Sequence, residues 1–244
     1  MKKLNDLIGY KNRKIYQDDK CFSFCLDSVL LANFINVKKN SNILDIGTGN
    51  GVIPLILSLN SNSKITGVEI QSKLADLAKE SVKYNKLEGK IEIINADIKD
   101  FSMDKNNYYD IICCNPPYFL EKSSSKTKES KEEAIARHEI KITLEEILKL
   151  SKKMLKNNGK LYLIHRVERF VEVIDLYKKY NIEPKRVRFI HNDKDSDAKL
   201  FLIEGTKNGK VGLKIDKPLI MFEKGVEAEE YSKIIYGTQY EERS

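Results

Sequence analysis

Short apolar runs alternate with segments of helical periodicity along most of the chain. Runs rich in Ile, Leu and Val are typical of buried strands, and apolar residues spaced three and four apart are typical of amphipathic helices. Strands are therefore predicted at residues 42–46, 64–70, 91–94, 109–114, 160–165, 187–190 and 199–204. Helices are predicted at residues 28–34, from about 51, and at 72–85, 144–155 and 167–180.

This alternation predicts an α/β fold with one doubly wound sheet. Strands separated by helices pair in parallel, because the chain crosses back over a face of the sheet between them. The last two predicted strands, 187–190 and 199–204, have no helical segment between them, which indicates one antiparallel strand. We therefore expect a seven-stranded, mostly parallel sheet with one antiparallel strand.

Shorter elements are predicted at both ends of this repeat. Residues 14–17 and 21–24, joined by a polar turn, are typical of a β-hairpin, and Asp27 is a candidate cap for the helix that follows. Beyond the last strand come a short apolar run at 218–222 and a helix near 228–236. These segments should extend the core rather than form a separate fold.

The predicted elements divide the chain into three parts, with one interruption. The polar stretch 120–133 breaks the repeat and is predicted to be a mobile loop, of the kind that often covers a substrate. The expected parts are an N-terminal hairpin and helix packed on the core, the core itself, and a C-terminal extension of the same domain, at residues 1–36, 37–206 and 207–244.

Composition fits a globular chain without a membrane span. Hydrophobic residues make up 41% of the 244 positions and charged residues 32%, which is ordinary for a soluble domain. No apolar run approaches the roughly 18 residues of a membrane helix, and the first residues lead into no apolar segment of a signal peptide. We therefore expect a cytoplasmic protein.

The four cysteines predict no metal site. Cys21 and Cys25 are spaced C-x-x-x-C, and Cys113 and Cys114 are adjacent. Neither spacing is half of a zinc site, and no histidine stands at a ligand spacing from them. Buried free thiols are the expected state.

The net charge of +7 is concentrated in one segment, residues 152–194. It holds twelve basic and five acidic residues, so its excess, 12 − 5 = +7, equals that of the whole chain. A polyanionic partner would explain the segment, and so would an ordinary solvated surface. The twelve are Lys152, Lys153, Lys156, Lys160, Arg166, Arg169, Lys178, Lys179, Lys185, Arg186, Arg188 and Lys194.

A glycine turn follows the first core strand. Residues 45–51 read Asp-Ile-Gly-Thr-Gly-Asn-Gly, and glycines at such a turn let a ligand approach the backbone. The spacing is G-x-G-x-G rather than G-x-G-x-x-G, and Asp45 would repel a pyrophosphate. The turn therefore disfavours NAD and ATP and suits a ligand with an amino group or a positive charge.

Two further acids follow the next two predicted strands. Glu69 is placed to accept both hydroxyls of a ribose, and Asp97 could accept from an adenine amino group. Together with the turn at Asp45, they form a pattern at three successive strand ends that a chance distribution of acids rarely produces.

With these residues, the sequence resembles the class I S-adenosylmethionine-dependent methyltransferases over roughly residues 20–205. The resemblance implies a Rossmann-like class I methyltransferase fold and S-adenosyl-L-methionine as the cofactor. It assigns the turn to the methionine end, Glu69 to the ribose, Ile70 to the adenine face and Asp97 to the adenine amine. The implied cofactor-binding residues are Asp45, Gly47, Thr48, Gly49, Glu69, Ile70, Asp97, Ile98 and Asn115.

The sequence Asn115-Pro116-Pro117-Tyr118 ends the fourth predicted strand. Two prolines remove two N–H donors and hold the preceding Asn115 extended, which leaves a corner rich in acceptors. The Asn115 side-chain oxygen and the Pro116 carbonyl could accept from both hydrogens of an –NH₂ group, and Tyr118 could stack on a planar base. The motif resembles that of methyltransferases acting on planar, amide-like nitrogens. This resemblance implies Asn115, Pro116 and Tyr118 as catalytic residues. Taken alone, the motif could also be a turn that ends a strand.

The corner by itself does not choose among three amines: adenine N6, guanine N2 and a protein glutamine. Release-factor glutamine methyltransferases typically carry a helical domain before the turn, and guanine-N2 enzymes of ribosomal RNA often carry a second sheet domain. Only 44 residues precede Asp45, which weakens both alternatives. A nucleic-acid-binding module on an inactive fold would have no reason to keep Asp45, Glu69, Asp97 and Asn115.

The sequence best resembles the bacterial tRNA(Val) adenine-37 N6-methyltransferase family. This resemblance implies methylation of an adenine N6 in tRNA, with residues 152–194 as the candidate contact face. The stretches that carry it are residues 22–32, 45–54, 67–71, 115–119, 136–139 and 218–219.

Overall fold

The computed structural model describes residues 2–10, 13–18, 26–59, 62–116 and 142–237. Its helices are α1 (Leu26–Phe34), α2 (Val52–Leu57), α3 (Ser72–Tyr84), α4 (Ile98–Phe101), α5 (Leu144–Met154), α6 (Phe170–Lys179) and α7 (Glu229–Tyr236), with a 3-10 turn at Val167–Arg169. Its long strands are β1 (Lys2–Asp6), β2 (Lys14–Asp18), β3 (Asn42–Ile46), β4 (Lys64–Glu69), β5 (Ile91–Asn95), β6 (Tyr109–Cys114), β7 (Leu155–Arg166), β8 (Ile182–His191) and β9 (Ala198–Lys207). Four two-residue strands follow: β10 (Lys214–Ile215), β11 (Leu219–Ile220), β12 (Phe222–Glu223) and β13 (Val226–Glu227).

The seven predicted core strands form one sheet in the order β5-β4-β3-β6-β7-β9-β8. The pairs from β5 to β7 are parallel, and β9 runs antiparallel to both β7 and β8. The predicted α/β fold with one antiparallel strand is therefore confirmed. The short strands β10 and β11 extend the sheet, because both pair with β8 in parallel.

Two apolar cores cover the two faces of this sheet. One packs against α1, α2, α3 and α7, and the other against α4, α5 and α6. Alternation along β7 shows the division: Tyr162 and Ile164 belong to the first core, and Leu161 and Leu163 to the second. We call these the α1 face and the α6 face of the sheet.

The start of β7 differs from the prediction of 160–165. Helix α5 begins with the capping box Thr143–Glu146 and ends at Met154, within one residue of the predicted end. Strand β7 begins at the next residue. A Cβ on Gly159 would lie 2.9 Å from the Lys156 carbonyl oxygen, so the glycine serves a tight bend within the strand rather than the end of a helix.

The N-terminal hairpin also differs from the prediction. Strand β2 pairs in antiparallel fashion with β1, a strand that the sequence did not predict, while the expected partner 21–24 lies outside the described residues. The hairpin lies against α3, where the Tyr16 N–H donates to Ser81 Oγ at 2.9 Å. The described part of α1 begins at Leu26, so Asp27 lies inside its first turn rather than before it.

The two ends of the chain contact each other on the α1 face. The Tyr10 hydroxyl donates to the carbonyl of Ile234 in α7 at 2.7 Å. The expected division at residues 36 and 206 stays a prediction, and so does the mobile loop 120–133, which lies outside the described residues. No helix within the described ranges is long and apolar enough to cross a membrane.

Candidate active site

The turn after β3 leaves open space at the carboxyl edge of the sheet. Gly47 and Gly49 have φ values of 69° and 57°, a conformation that favours glycine. A Cβ at either position would meet no described atom within 4 Å. On the neighbouring strand, a Cβ on Gly67 would lie 2.8 Å from Thr48 Oγ1, so this glycine makes room for the turn.

Asp45 lies at the base of this turn and is 1% exposed. The Cys113 thiol donates to Oδ1 at 3.6 Å, while Oδ2 has no hydrogen-bond partner among the described residues. Burial raises the pKa of Asp45 to about 7. The buried Thr48 hydroxyl lies near this carboxylate and opposes the rise in its pKa, but it makes no hydrogen bond of good geometry to a described residue. These buried, unsatisfied oxygens at the base of the glycine turn fit a ligand that carries an amino group.

Glu69 joins the turn to the end of β4. Its Oε2 accepts from the Gly49 N–H and its Oε1 from the Gln71 N–H, both at 2.9 Å. Burial raises the pKa of Glu69 although both hydrogen bonds oppose the shift. Each carboxylate oxygen keeps a second lone pair, so the fixed group can still accept from a pair of ribose hydroxyls.

The residues predicted for the adenine end lie beyond β4 and β5. Ile70 is 41% exposed, and its carbonyl accepts from Asn95 Nδ2 at 3.0 Å. Asp97 caps α4 by accepting from the Lys99 N–H at 2.8 Å. The Ile98 side chain is buried in the core of the α6 face, so only its backbone is available to a ligand. An exposed apolar side chain beside an acid suits a purine ring with an amine.

Asn115 and Pro116 follow β6 directly. Asn115 Nδ2 donates to the hydroxyl of Ser28 in α1 at 3.0 Å, so the amide nitrogen faces α1 and the carbonyl oxygen lies on the opposite side of the amide. Pro116 is buried. Tyr118, the third predicted catalytic residue, lies outside the described residues. The Ser28 contact was not predicted, because nothing in its local sequence relates it to Asn115.

The sheet order arranges these groups in one row. Because β3 lies between β4 and β6, and β5 flanks β4, the edge carries Asp97, Glu69, the Asp45 turn and Asn115 in that sequence. Three strand spacings of about 4.8 Å make the row roughly 14 Å long. An elongated ligand with a nucleoside at one end and an amino acid at the other fits along β5 to β3 and ends beside Asn115.

The predicted basic segment does not form one uniformly charged face. Lys152, Lys153 and Lys156 bond to Asn208, Met103 and Asp110, so they lie at the amino edge of the sheet, opposite the row. Counting only acids in the described part of the chain, seven of the twelve basic residues are ion-paired, namely Lys156, Lys160, Arg169, Lys178, Lys179, Arg186 and Arg188. Much of the segment's charge is therefore neutralised locally.

Comparison with known proteins identifies the chemistry of this fold. The model of the methyltransferase small domain family matches residues 23–181. A protein of Parabacteroides distasonis named tRNA1(Val) (adenine(37)-N6)-methyltransferase is 28% identical over 82% of this chain and 83% of its own length. A protein of the same name from Pedobacter heparinus is 30% identical over 79% of this chain and 80% of its own.

A solved structure is similar over most of the fold. It is that of a predicted O-methyltransferase, Atu636 from Agrobacterium tumefaciens, which aligns with a TM-score of 0.69 and 20% identity over 86% of this chain and 96% of its own. The family match and the named relatives confirm an S-adenosyl-L-methionine-dependent N-methyltransferase. The chain belongs to the methyltransferase small domain family.

Proposed function

We propose that this enzyme methylates the exocyclic N6 amine of adenine 37 in tRNA1(Val). The observation that supports the proposal most is the length of the alignment with the named relatives, which covers about four fifths of this chain and of each relative. The acceptor corner agrees with it, because Asn115 and Pro116 stand at the end of β6, next to the strand that carries the Asp45 turn.

The row of acids supplies the residues that would hold S-adenosyl-L-methionine. Asp45 would face its amino group, Glu69 its ribose hydroxyls, and Asp97 its adenine amine beside the exposed Ile70 side chain. When bound there, the cofactor supplies an electrophilic methyl group on a sulfonium. The two backbone N–H donors on Glu69 keep that carboxylate in place before a ligand arrives.

Asn115 and Pro116 would orient the amine. The lone pair of an adenine N6 is delocalised into the ring, so the amine attacks poorly unless it is held in one direction. Accepting both N–H groups, at Asn115 Oδ1 and the Pro116 carbonyl, directs the lone pair toward the methyl group. The Ser28 contact fixes the Asn115 amide for this task. Stacking of the base on Tyr118 stays a prediction.

A tRNA is accordingly the partner, and we infer the cytoplasm as the compartment. Residues 152–194 as the contact face stay a prediction from the sequence. The structure divides their charges between two edges of the sheet, so they do not act as one surface of uniform charge.

The decisive experiment offers the purified enzyme two kinds of acceptor with methyl-labelled cofactor. One reaction contains an unmodified tRNA1(Val) transcript and the other a bacterial release factor. Digestion of the tRNA to nucleosides should yield labelled N6-methyladenosine, lost when adenine 37 is replaced by guanine. Label in the release factor alone, or in N2-methylguanosine, would refute the proposal in favour of glutamine or guanine.

A further inference from the structure

Three of the twelve basic residues of the predicted segment follow strands at the carboxyl edge, where the active site lies. Arg166 and Arg169 come at and after the end of β7, and Lys194 comes after β8. Lys194 follows β8, and two strands separate β8 from β6, the strand that leads to Asn115. In the sequence, Lys194 also stands between two acids, Asp193 and Asp195.

Arg166 lies closest in the sheet to the acceptor corner. Strands β6 and β7 pair in parallel with Cys114 beside Leu163, so Asn115 comes level with Ile164 and Arg166 stands two residues farther along. One strand spacing of about 4.8 Å and two rises of about 3.3 Å put the Cα atoms of Asn115 and Arg166 roughly 8 Å apart.

Arg166 also faces the same side of the sheet as Asn115. Ile164 belongs to the core of the α1 face, and residues two apart on a strand share a face. Leu200, the antiparallel partner of Arg166, packs against that same core. Asn115 reaches Ser28 of α1 on this face, and Arg166 is exposed there. A long cationic side chain therefore extends beside the corner that receives the amine.

We propose that Arg166 binds a phosphate that flanks the nucleotide whose base reaches Asn115; this proposal rests on the function proposed above. A nucleotide extruded from a loop brings its own phosphates to the rim of the pocket that holds its base. A guanidinium offers paired N–H donors that match phosphate oxygens. Arg166 would thus position the adenine through a phosphate of the tRNA backbone, which is separated from N6 by the sugar and the purine ring of that nucleotide.

The test measures kcat/KM for an unmodified tRNA1(Val) transcript at several salt concentrations. Arg166→Gln should lower kcat/KM about tenfold and reduce the slope of its logarithm against log salt by about 0.7, with unchanged affinity for S-adenosylhomocysteine. Lys64→Gln makes the same charge change at an exposed position on the amino edge and should stay within twofold of wild type. Equal values for the two variants would overturn the proposal.

A modified substrate identifies the phosphate itself. Methylphosphonates are placed singly at the two phosphates that flank adenine 37 in an anticodon stem-loop. One of them should lower wild-type kcat/KM about tenfold and have little further effect on Arg166→Gln, because the contact is already lost. Losses that multiply at both positions would contradict the contact.

Two controls keep the test decisive. Arg166→Lys keeps the charge without the planar fork, so it should lose less than Arg166→Gln and keep the wild-type salt slope. If Arg166→Gln does not fold, the methylphosphonates on wild type and Arg166→Lys decide, and no loss at either phosphate would overturn the proposal. Wild-type methylation of the transcript separates a failure of this contact from a failure of the proposed function.

Discussion

At the carboxyl edge of the sheet, the ends of β3, β4 and β5 carry Asp45, Glu69 and Asp97, whereas the end of β6 carries Asn115. Glu69 and Asp97 are held by N–H groups of Gly49, Gln71 and Lys99, which lie in the turns and at the start of α4 along this part of the edge. Asn115 is held by Ser28, a residue 87 positions away in the sequence, on a helix of another part of the chain. The cofactor half is therefore held mostly by backbone groups at the same edge of the sheet, and the acceptor half by a side chain of a separate helix.

This difference predicts that the two halves can be damaged separately. Backbone donors on Glu69 come with the folded sheet, so changes at α1 should leave cofactor binding intact. The amide of Asn115 depends on α1, which is held at its far end by Arg186, whose guanidinium lies 3.9 Å from the Phe34 ring centroid. Methyl transfer should therefore respond to changes in α1 that cofactor binding does not register.

The largest effect is expected from Asn115→Ala. If Asn115 orients the amine as proposed, removing this acceptor should lower kcat on tRNA about a thousandfold, within the range measured for loss of one transition-state hydrogen-bonding group. Affinity for S-adenosylhomocysteine, measured by calorimetry, should change less than twofold. Asn62→Ala, an exposed control between α2 and β4, should alter neither quantity. Cofactor affinity that falls together with kcat would show that the two halves are not separable.

The reverse pattern is expected from Glu69→Gln. The amide replaces one of the two oxygens that accept from Gly49 and Gln71, and a donor now faces a backbone N–H. Affinity for S-adenosylhomocysteine should fall about thirtyfold to a hundredfold, while binding of tRNA, measured by filter retention, stays near wild type. Glu92→Gln on the neighbouring β5 is the matched control, because that side chain is exposed. Equal losses in both variants would argue against a ligand role for Glu69.

The same contrast explains what the sequence could predict. The residues proposed for the cofactor half were predicted from strand ends and a glycine turn, each recognised within ten residues. The alternation of strands and helices predicted the sheet with its one antiparallel strand, and the structure confirms it. Strand β1 was missed because the residues of Lys2–Asp6 are all exposed and include a single apolar side chain, Leu4, so the strand has no apolar period. The Ser28–Asn115 contact could not be predicted, since it exists only after α1 packs on the sheet.

For a related reason, the sequence could not predict that the charges of residues 152–194 are divided between two edges of the sheet. Twelve like charges in one stretch suggest one surface, but strands and helices alternate there and place neighbours on opposite edges. The partners of Lys156 and Lys179 are Asp110 and Glu145, which lie 46 and 34 residues away in the chain. Net charge along a sequence therefore overstates the charge available to a partner.

The pH dependence of cofactor affinity tests whether Asp45 contacts the amino group of the ligand. Burial raises the pKa of Asp45 to about 7 in the ligand-free enzyme, and a ligand ammonium group favours the ionised carboxylate. Affinity for S-adenosylhomocysteine should therefore be full above pH 7 and fall as pH drops through about 7, approaching tenfold per unit. Asp45→Asn should bind more weakly at pH 8 and show no such dependence between pH 5.5 and 7.5. A wild-type curve that is flat over this range would contradict contact between Asp45 and the amino group.

The smallest effect is expected at Ser28, which supports the acceptor half through its hydrogen bond with Asn115. Ser28→Ala removes the hydroxyl that receives Asn115 Nδ2, so the amide can rotate and its oxygen is correctly placed for only part of the time. We expect kcat on tRNA to fall about threefold to tenfold, with cofactor affinity and KM for tRNA nearly unchanged. Ser28→Thr keeps the hydroxyl and should restore most of the rate. If the alanine and threonine variants lose equally, the effect comes from packing of α1 rather than from the hydrogen bond, and Asn115 must be oriented by other contacts.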